Sequence, residues 1–226
     1  MQTKVTGEFL PVLTCKLEKG EQIFTESGGM SWMTQGIKME TNTNGGIVKG
    51  LGRALSGESI FMNTYTAEED GVEISFASCF PGQILGFDLS AGQTLICQKK
   101  AFLCAEKSVD LSMHFRKKLG AGFFGGEGFI MQKLTGPGKA FLEIDGNVVK
   151  KELAEGEILK VDNGYVAAMT SNVDLNIETV KGIKNVVFGG EGLFLTTLKG
   201  PGTVWLQSMP ISKLAGSLYS AMPVSK

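Results

Sequence analysis

One stretch of this chain is written twice, and whatever the chain folds into must hold both copies in the same way. Gly125-Gly126-Glu127-Gly128-Phe129-Ile130, running through Leu134 to Gly136-Pro137-Gly138, returns 64 residues later as Gly189-Gly190-Glu191-Gly192-Leu193-Phe194, running through Leu198 to Gly200-Pro201-Gly202. A weaker copy, Gly57-Glu58-Ser59-Ile60-Phe61, lies 69 residues upstream of the first. We call this pattern half-unit A. Between its copies stands half-unit B, a Leu-x-x-Gly turn followed by Glu or Gln and a β-rich run: Leu17 to Phe24, Leu89 to Ile96 and Leu153 to Val161. The early B is continued by Gly28-Gly29-Met30-Ser31-Trp32-Met33, which mirrors Asn163 to Met169. Repeats at such a period mean that each copy is one supersecondary unit and that the copies share a core.

The half-units follow one another as B, A-B, A-B, A. If the first B completes the last A, three full units result, at 57–115, 125–182 and 189–207 closed by 8–42, around a pseudo-threefold axis in a single domain spanning 1–226. Closure of that kind leaves few open sheet edges. Local patterns agree that the units are β. Val72-Glu73-Ile74-Ser75-Phe76 and Val173-Asp174-Leu175-Asn176-Ile177 alternate with period two, as half-buried strands do. Ile158 to Val161 and Leu193 to Leu195 are short apolar runs bounded by turn residues, and the Gly-Pro-Gly loops are compatible with hairpin turns. Helix is expected only at Ile211–Tyr219. The fold class is all-β.

Glycine numbers 31 and proline 6, which fits tight turns and bulges rather than a disordered linker. Lys and Arg total 22 against 23 Asp and Glu, so no overall field draws the chain to nucleic acid, which is not expected as a partner. Cys15, Cys79, Cys97 and Cys104 form no CxxC pair and read as buried, reduced thiols rather than a zinc site. No signal peptide is visible at the N-terminus, and no apolar run is long enough to span a bilayer, so a cytoplasmic location is expected.

Taken in order, Gly-Gly-Glu-Gly at 125–128 and 189–192, the two Gly-Pro-Gly loops and Gly28-Gly29-Met30 resemble the bacterial branch of the altered inheritance of mitochondria protein 24 family. The resemblance covers Gly7 to Gln207. It implies a double-stranded β-helix-like fold akin to that of the tryptophan RNA-binding attenuation protein, and no established catalytic residue. The mitochondrial members are associated with inner-membrane organisation, but this chain shows no Arg- and Ser-rich transit segment. Its first A copy departs from the pattern, with Ser56-Gly57-Glu58-Ser59 in place of Gly-Gly-Glu-Gly.

The residues needed for common chemistries are scarce. A 2-His-1-carboxylate metal site or a Ser-His-Asp triad needs histidines, and His114 is the single one. Glu58, Glu127 and Glu191 recur at equivalent places, where a carboxylate closes a turn or, arranged about an axis, binds a cation. No phosphate-binding or dinucleotide fingerprint is present. No catalytic, metal or cofactor residue is therefore assigned. What stands out is a set of three segments entering the A copies, each joining Lys or Arg to a short apolar stretch. They offer Lys49 and Arg53; Lys117, Lys118, Phe123 and Phe124; and Lys184, Val187 and Phe188 as candidate docking loops on one rim. The sequence thus reads as a non-enzymatic interaction or scaffold protein, homo-oligomeric, docking on a membrane surface or a protein partner. The alternative is a small-ligand module with a polar cleft between units, and an enzyme would instead show clustered carboxylates of shifted pKa.

Overall fold

A computed structural model describes residues 1–42, 62–117, 128–179 and 194–222. After β1 (Gln2–Thr6) the strands come in three runs of six, which we call hexads. The first hexad is β2 (Val12–Leu17), β3 (Gln22–Glu26), β4 (Trp32–Met33), β5 (Ile37–Asn42), β6 (Met62–Ala67) and β7 (Val72–Ala77). The second is β8 (Gly82–Leu89), β9 (Thr94–Gln98), β10 (Phe102–Glu106), β11 (Asp110–Lys117), β12 (Phe129–Thr135) and β13 (Gly138–Asp145). The third is β14 (Val148–Leu153), β15 (Ile158–Asp162), β16 (Val166–Thr170), β17 (Asp174–Thr179), β18 (Phe194–Lys199) and β19 (Gly202–Gln207), and helix α1 (Ile211–Ala221) follows.

Every hexad pairs its strands alike. The first, sixth and third strands make one antiparallel half-sheet: β2·β7·β4, β8·β13·β10 and β14·β19·β16. The second, fifth and fourth make another: β3·β6·β5, β9·β12·β11 and β15·β18·β17. Half-sheets of successive hexads then fuse, β3 to β10 with Phe24 opposite Ala105, and β9 to β16 with Ile96 opposite Met169. Two six-stranded sheets result, β5-β6-β3-β10-β13-β8 and β11-β12-β9-β16-β19-β14, flanked by the smaller sheets β1-β2-β7-β4 and β15-β18-β17.

These ladders group the chain differently from the repeat order. Each B strand (β3, β9, β15) pairs with the A strand that follows it (β6, β12, β18), so the units run 12–77, 82–145 and 148–207, each complete in chain order. Among the described residues no ladder joins 8–42 to 189–207. The strand ahead of each B carries the difference. β14 is largely exposed and β8 mostly half-buried, so neither carries a strong apolar pattern, and leaving them out of the repeat shifts the unit boundary by half a repeat. The Gly-Pro-Gly loops are likewise corners rather than hairpins, since β12 and β13 lie in different sheets, as do β18 and β19.

The repeated motifs are the joints of this plan. In each Leu-x-x-Gly-Glu/Gln turn the glycine holds a left-handed φ, 86° at Gly20, 76° at Gly92 and 75° at Gly156, which a Cβ would strain. The next side chain reaches back to accept an amide N–H three residues earlier: Glu18 N to Glu21 Oε2 at 2.9 Å, Ser90 N to Gln93 Oε1 at 3.0 Å, Ala154 N to Glu157 Oε2 at 2.8 Å. The turn then locks onto the end of the A strand. Gly136 N donates to Gln93 O at 2.9 Å, Gly200 N to Glu157 O at 2.9 Å and Ala67 N to Glu21 O at 3.0 Å. A methyl at Gly136 would collide with the Leu89 and Ser90 carbonyls, and one at Gly200 with the Leu153 and Ala154 carbonyls. The first hexad tolerates Ala67 there and turns its corner through Gly71 instead.

The core lies where half-sheets face and fuse. Leu13, Ile23, Tyr65, Ile74 and Phe76 of the first hexad pack with Leu103, Cys104 and Phe141 of the second. Ile96, Phe129 and Met131 of the second pack with Val166, Met169, Ile177 and Leu198 of the third. A middle cluster draws Phe24 and Met62 from the first hexad and Ala167 and Ala168 from the third onto Leu95, Phe102 and Leu142. Burying one such side chain contributes about 1.5–3 kcal/mol. Cys15, Cys97 and Cys104 are buried free thiols, but Cys79 is exposed, because it falls in the connection between β7 and β8 rather than in a strand.

Candidate functional site

Most of the candidate docking residues, Lys49, Arg53, Lys118, Phe123, Phe124, Lys184, Val187 and Phe188, lie outside the described residues, as do Glu58, Glu127 and Glu191. Their flanking strand ends are described, and in every hexad they are paired: Asn42 with Met62, Lys117 with Phe129, Thr179 with Phe194. The three basic-apolar segments therefore connect neighbouring strands at equivalent positions. Lys117 itself is half-buried, and its Nζ donates to the Ile177 carbonyl at 2.6 Å, tying β11 to β17 of the next hexad. That bond is a structural one.

His114 sits on β11 at a register shift between Met113 and Phe115, with its side chain exposed. One side of the ring is nevertheless shielded from water by the sheet, and this partial desolvation, with the nearby Lys133, holds its pKa below the ordinary value. Among the described residues no group of three His, Cys, Asp or Glu side chains could hold a metal ion.

Carboxylates of shifted pKa do occur together, in a cleft between the second and third hexads. Glu143 and Asp145 alternate with buried Leu142 and Ile144 on β13 and so share its other face. Burial pushes Glu143 up, and the Cys79 amide, donating to its Oε1 at 2.9 Å, opposes this. Burial likewise pushes Asp145 up, against the Ile211 amide, which donates to its Oδ2 at 3.0 Å, and Lys100. Gln207 completes the wall, accepting from Asp145 N at 3.2 Å and donating to Gly164 O at 2.7 Å. Both carboxylates are already held by backbone amides, and the room between the walls suits about one water molecule. The cleft fastens the start of α1 to the sheet. Its components lie 62 and 66 residues apart in sequence, and the only local signal was two acids alternating with apolar residues on a strand.

The two ends of the strand array are the other unusual place. β10 and β16, the third strands of their hexads, are paired on both sides and buried: Leu103 is 6% exposed, Ala105 and Ala168 0%. β4, the third strand of the first hexad, pairs among the described residues with β7 alone, and there Trp32 is 55% exposed. At the opposite end β15 pairs among the described residues with β18 alone and Ile158 is 58% exposed, whereas the counterpart strands β3 and β9 are mostly buried. Phe9, Leu10, Met33 and Met39 are exposed on the first hexad and its leading segment; Val149, Leu218, Tyr219 and Met222 are exposed on the third hexad and the end of α1. The middle hexad exposes only Met113 among the described large apolar side chains. The repeat order carries no sign of these ends, because a first B that completes the last A would close them on each other.

Comparison with known proteins supports the all-β fold and identifies the family. A family model described as mitochondrial biogenesis AIM24 matches residues 3–209. A protein of Streptococcus pyogenes serotype M6, named only as uncharacterized, is 28% identical over 222 residues, covering 95% of this chain and 88% of the relative. The crystal structure of a Streptococcus pyogenes protein, from a structural genomics programme, is similar with a TM-score of 0.81 at 24% identity, over 98% of this chain and 99% of that one. That likeness shows the fold. Among the described residues no helix is long and apolar enough to cross a membrane.

Proposed function

The chain belongs to the mitochondrial biogenesis AIM24 family, in its bacterial branch, and on that premise we propose that it works without catalysis, as an assembly module whose two unfinished sheet ends bind other protein chains. The observation that carries this reading is the distribution of exposed apolar surface. Among the described residues, exposed apolar side chains gather on the terminal hexads, whose end strands β4 and β15 are paired on one flank, and Met113 alone represents them on the middle one. An edge strand with open N–H and C=O groups is a template for another strand. The reading places the protein in the cytoplasm, which its four free cysteines favour.

The test is photo-crosslinking in cells from an unnatural residue placed at Trp32, at Ile158 or, as the control, at exposed Met113. Adducts concentrated at the two ends are the expected result. Equal or absent crosslinking at all three sites would sink the reading.

A second reading gives the connections 43–61, 118–127 and 180–193 a lipid surface, favoured by their equivalent placement between paired strand ends. Vesicles with and without anionic lipid test it, with Phe123→Ser/Phe124→Ser as the variant. Salt-sensitive co-sedimentation lost in the variant supports this reading, and equal recovery of both chains with vesicles rejects it.

A further inference from the structure

We infer that the strand partner missing at each end is a second copy of this chain, β15 of one molecule adding to β4 of the next. This rests on the assembly reading above and names its partner. Inside one molecule the same junction is made twice. At the first, Phe24 of β3 stands opposite Ala105 of β10; at the second, Ile96 of β9 stands opposite Met169 of β16, flanked by Leu95 opposite Thr170 and Cys97 opposite Ala168. In both, the second strand of one hexad meets the third strand of the hexad after it. Among the described residues β15, the second strand of the third hexad, meets no third strand of another hexad, and β4, the third strand of the first hexad, meets no second strand of another. The open flanks of these two strands are the two halves of one junction.

The repeat register says how they meet. β4 lies against β7 as β10 lies against β13 and β16 against β19: Trp32 faces Ser75 where Cys104 faces Phe141 and Ala168 faces Trp205. Carrying the internal junctions onto the ends puts Val161 opposite Trp32, Lys160 opposite Met33 and Leu159 opposite Thr34. Exposure supports this. Phe24 and Ile96, buried at 3% and 1%, correspond to Lys160, whose side chain is 57% exposed and reaches Glu178 at 3.4 Å. Lysine on an open edge is a common guard against indiscriminate strand addition. Opposite Met33 its aliphatic stem lies along apolar surface while the ammonium stays in water, which makes the end junction weaker than the internal two and reversible. The contact is heterologous, joining two different surfaces, so assembly runs head to tail and closes into a ring or continues.

The purified full chain tests this by light scattering behind size exclusion over a concentration series. Wild type is expected to form species heavier than one chain. Trp32→Asp and Ile158→Asp each spoil one end at an exposed position, so each is expected to be a folded monomer, with circular dichroism and melting as for wild type. Mixed in equal amounts, they are expected to give a one-to-one dimer and nothing larger, because one sound β4 and one sound β15 remain. Lys160→Ile restores the internal type of residue and is expected to move assembly to about tenfold lower concentration. A wild type that stays monomeric throughout overturns the inference. So does a dimer of Ile158→Asp alone, which would mean a symmetric contact through β4. If the wild type is monomeric while crosslinking at Trp32 and Ile158 in cells persists, the self-assembly inference fails and the assembly-module reading stands.

Discussion

Trp32, Cys104 and Ala168 occupy one place in three copies of one strand, and their surroundings differ. Cys104 and Ala168 sit in strands paired on both flanks and are fully buried; Trp32 sits in a strand paired on one flank and is more than half exposed. The strand plan is common to all three, so the difference comes from what lies beyond the edge. Side-chain size follows that difference. The internal junctions take small residues where another strand presses in, and the open end carries the largest side chain available.

Substitutions at this shared position break the comparison most sharply. Ala168→Asp buries a carboxylate at 0% exposure and is expected to cost roughly 4 kcal/mol or more, enough to leave little folded protein in a denaturant titration. Trp32→Asp, measured where the chain is monomeric, is expected to change stability by less than about 0.5 kcal/mol. Equal losses at both positions would mean that β4 is buried by something other than a partner chain. The corner glycines give the next largest effect. Gly200→Ala forces a methyl into the Leu153 and Ala154 carbonyls and is expected to cost about 2–3 kcal/mol, read as a lower denaturant midpoint, whereas Ala67→Gly at the same place in the first hexad costs only about 0.5–1 kcal/mol. Removing the tie between the second and third hexads comes third. Lys117→Met deletes the donor to the Ile177 carbonyl and is expected to cost about 1 kcal/mol in the same titration.

The smallest effect separates the cleft from the ends by pH. Burial raises Glu143 and Asp145, so the folded chain holds their protons more tightly than the unfolded chain. Their contribution is therefore full below the ordinary carboxylate value near about 4 and is lost as pH rises through the raised folded values. Glu143→Gln keeps an acceptor for the Cys79 amide and removes the buried charge. Its melting temperature is expected to fall less than that of wild type as pH climbs through this window. Parallel curves would show that the Glu143 charge is fully solvated.

The glycine motifs were legible because their chemistry is local. A left-handed glycine followed by a side chain that reaches back three residues leaves the same spacing at Gly20, Gly92 and Gly156. The phase of the repeat was not legible, since Leu17 to Ile23 looks the same whether its partner strand comes before or after. Gly136-Pro137-Gly138 shows that the chain turns without showing which sheet receives it. Glu143 and Asp145 read as an outward strand face, because what covers them, Gln207 and Ile211, is remote in sequence. The open ends were hidden for a different reason: exposure of Trp32 and Ile158 depends on the absence of a neighbour, and no residue encodes an absence.

Each six-stranded sheet draws half its strands from one repeat and half from the next, so neither of these sheets belongs to one repeat. A cut anywhere between β2 and β19 divides a sheet, so a single repeat excised from the chain lacks the cover its inner strands need. The converse concerns ancestry. Duplicating one repeat in tandem adds one more shared sheet and leaves the first and last strands as they were, so the number of repeats is a quantity that gene duplication can change without having to invent a new surface.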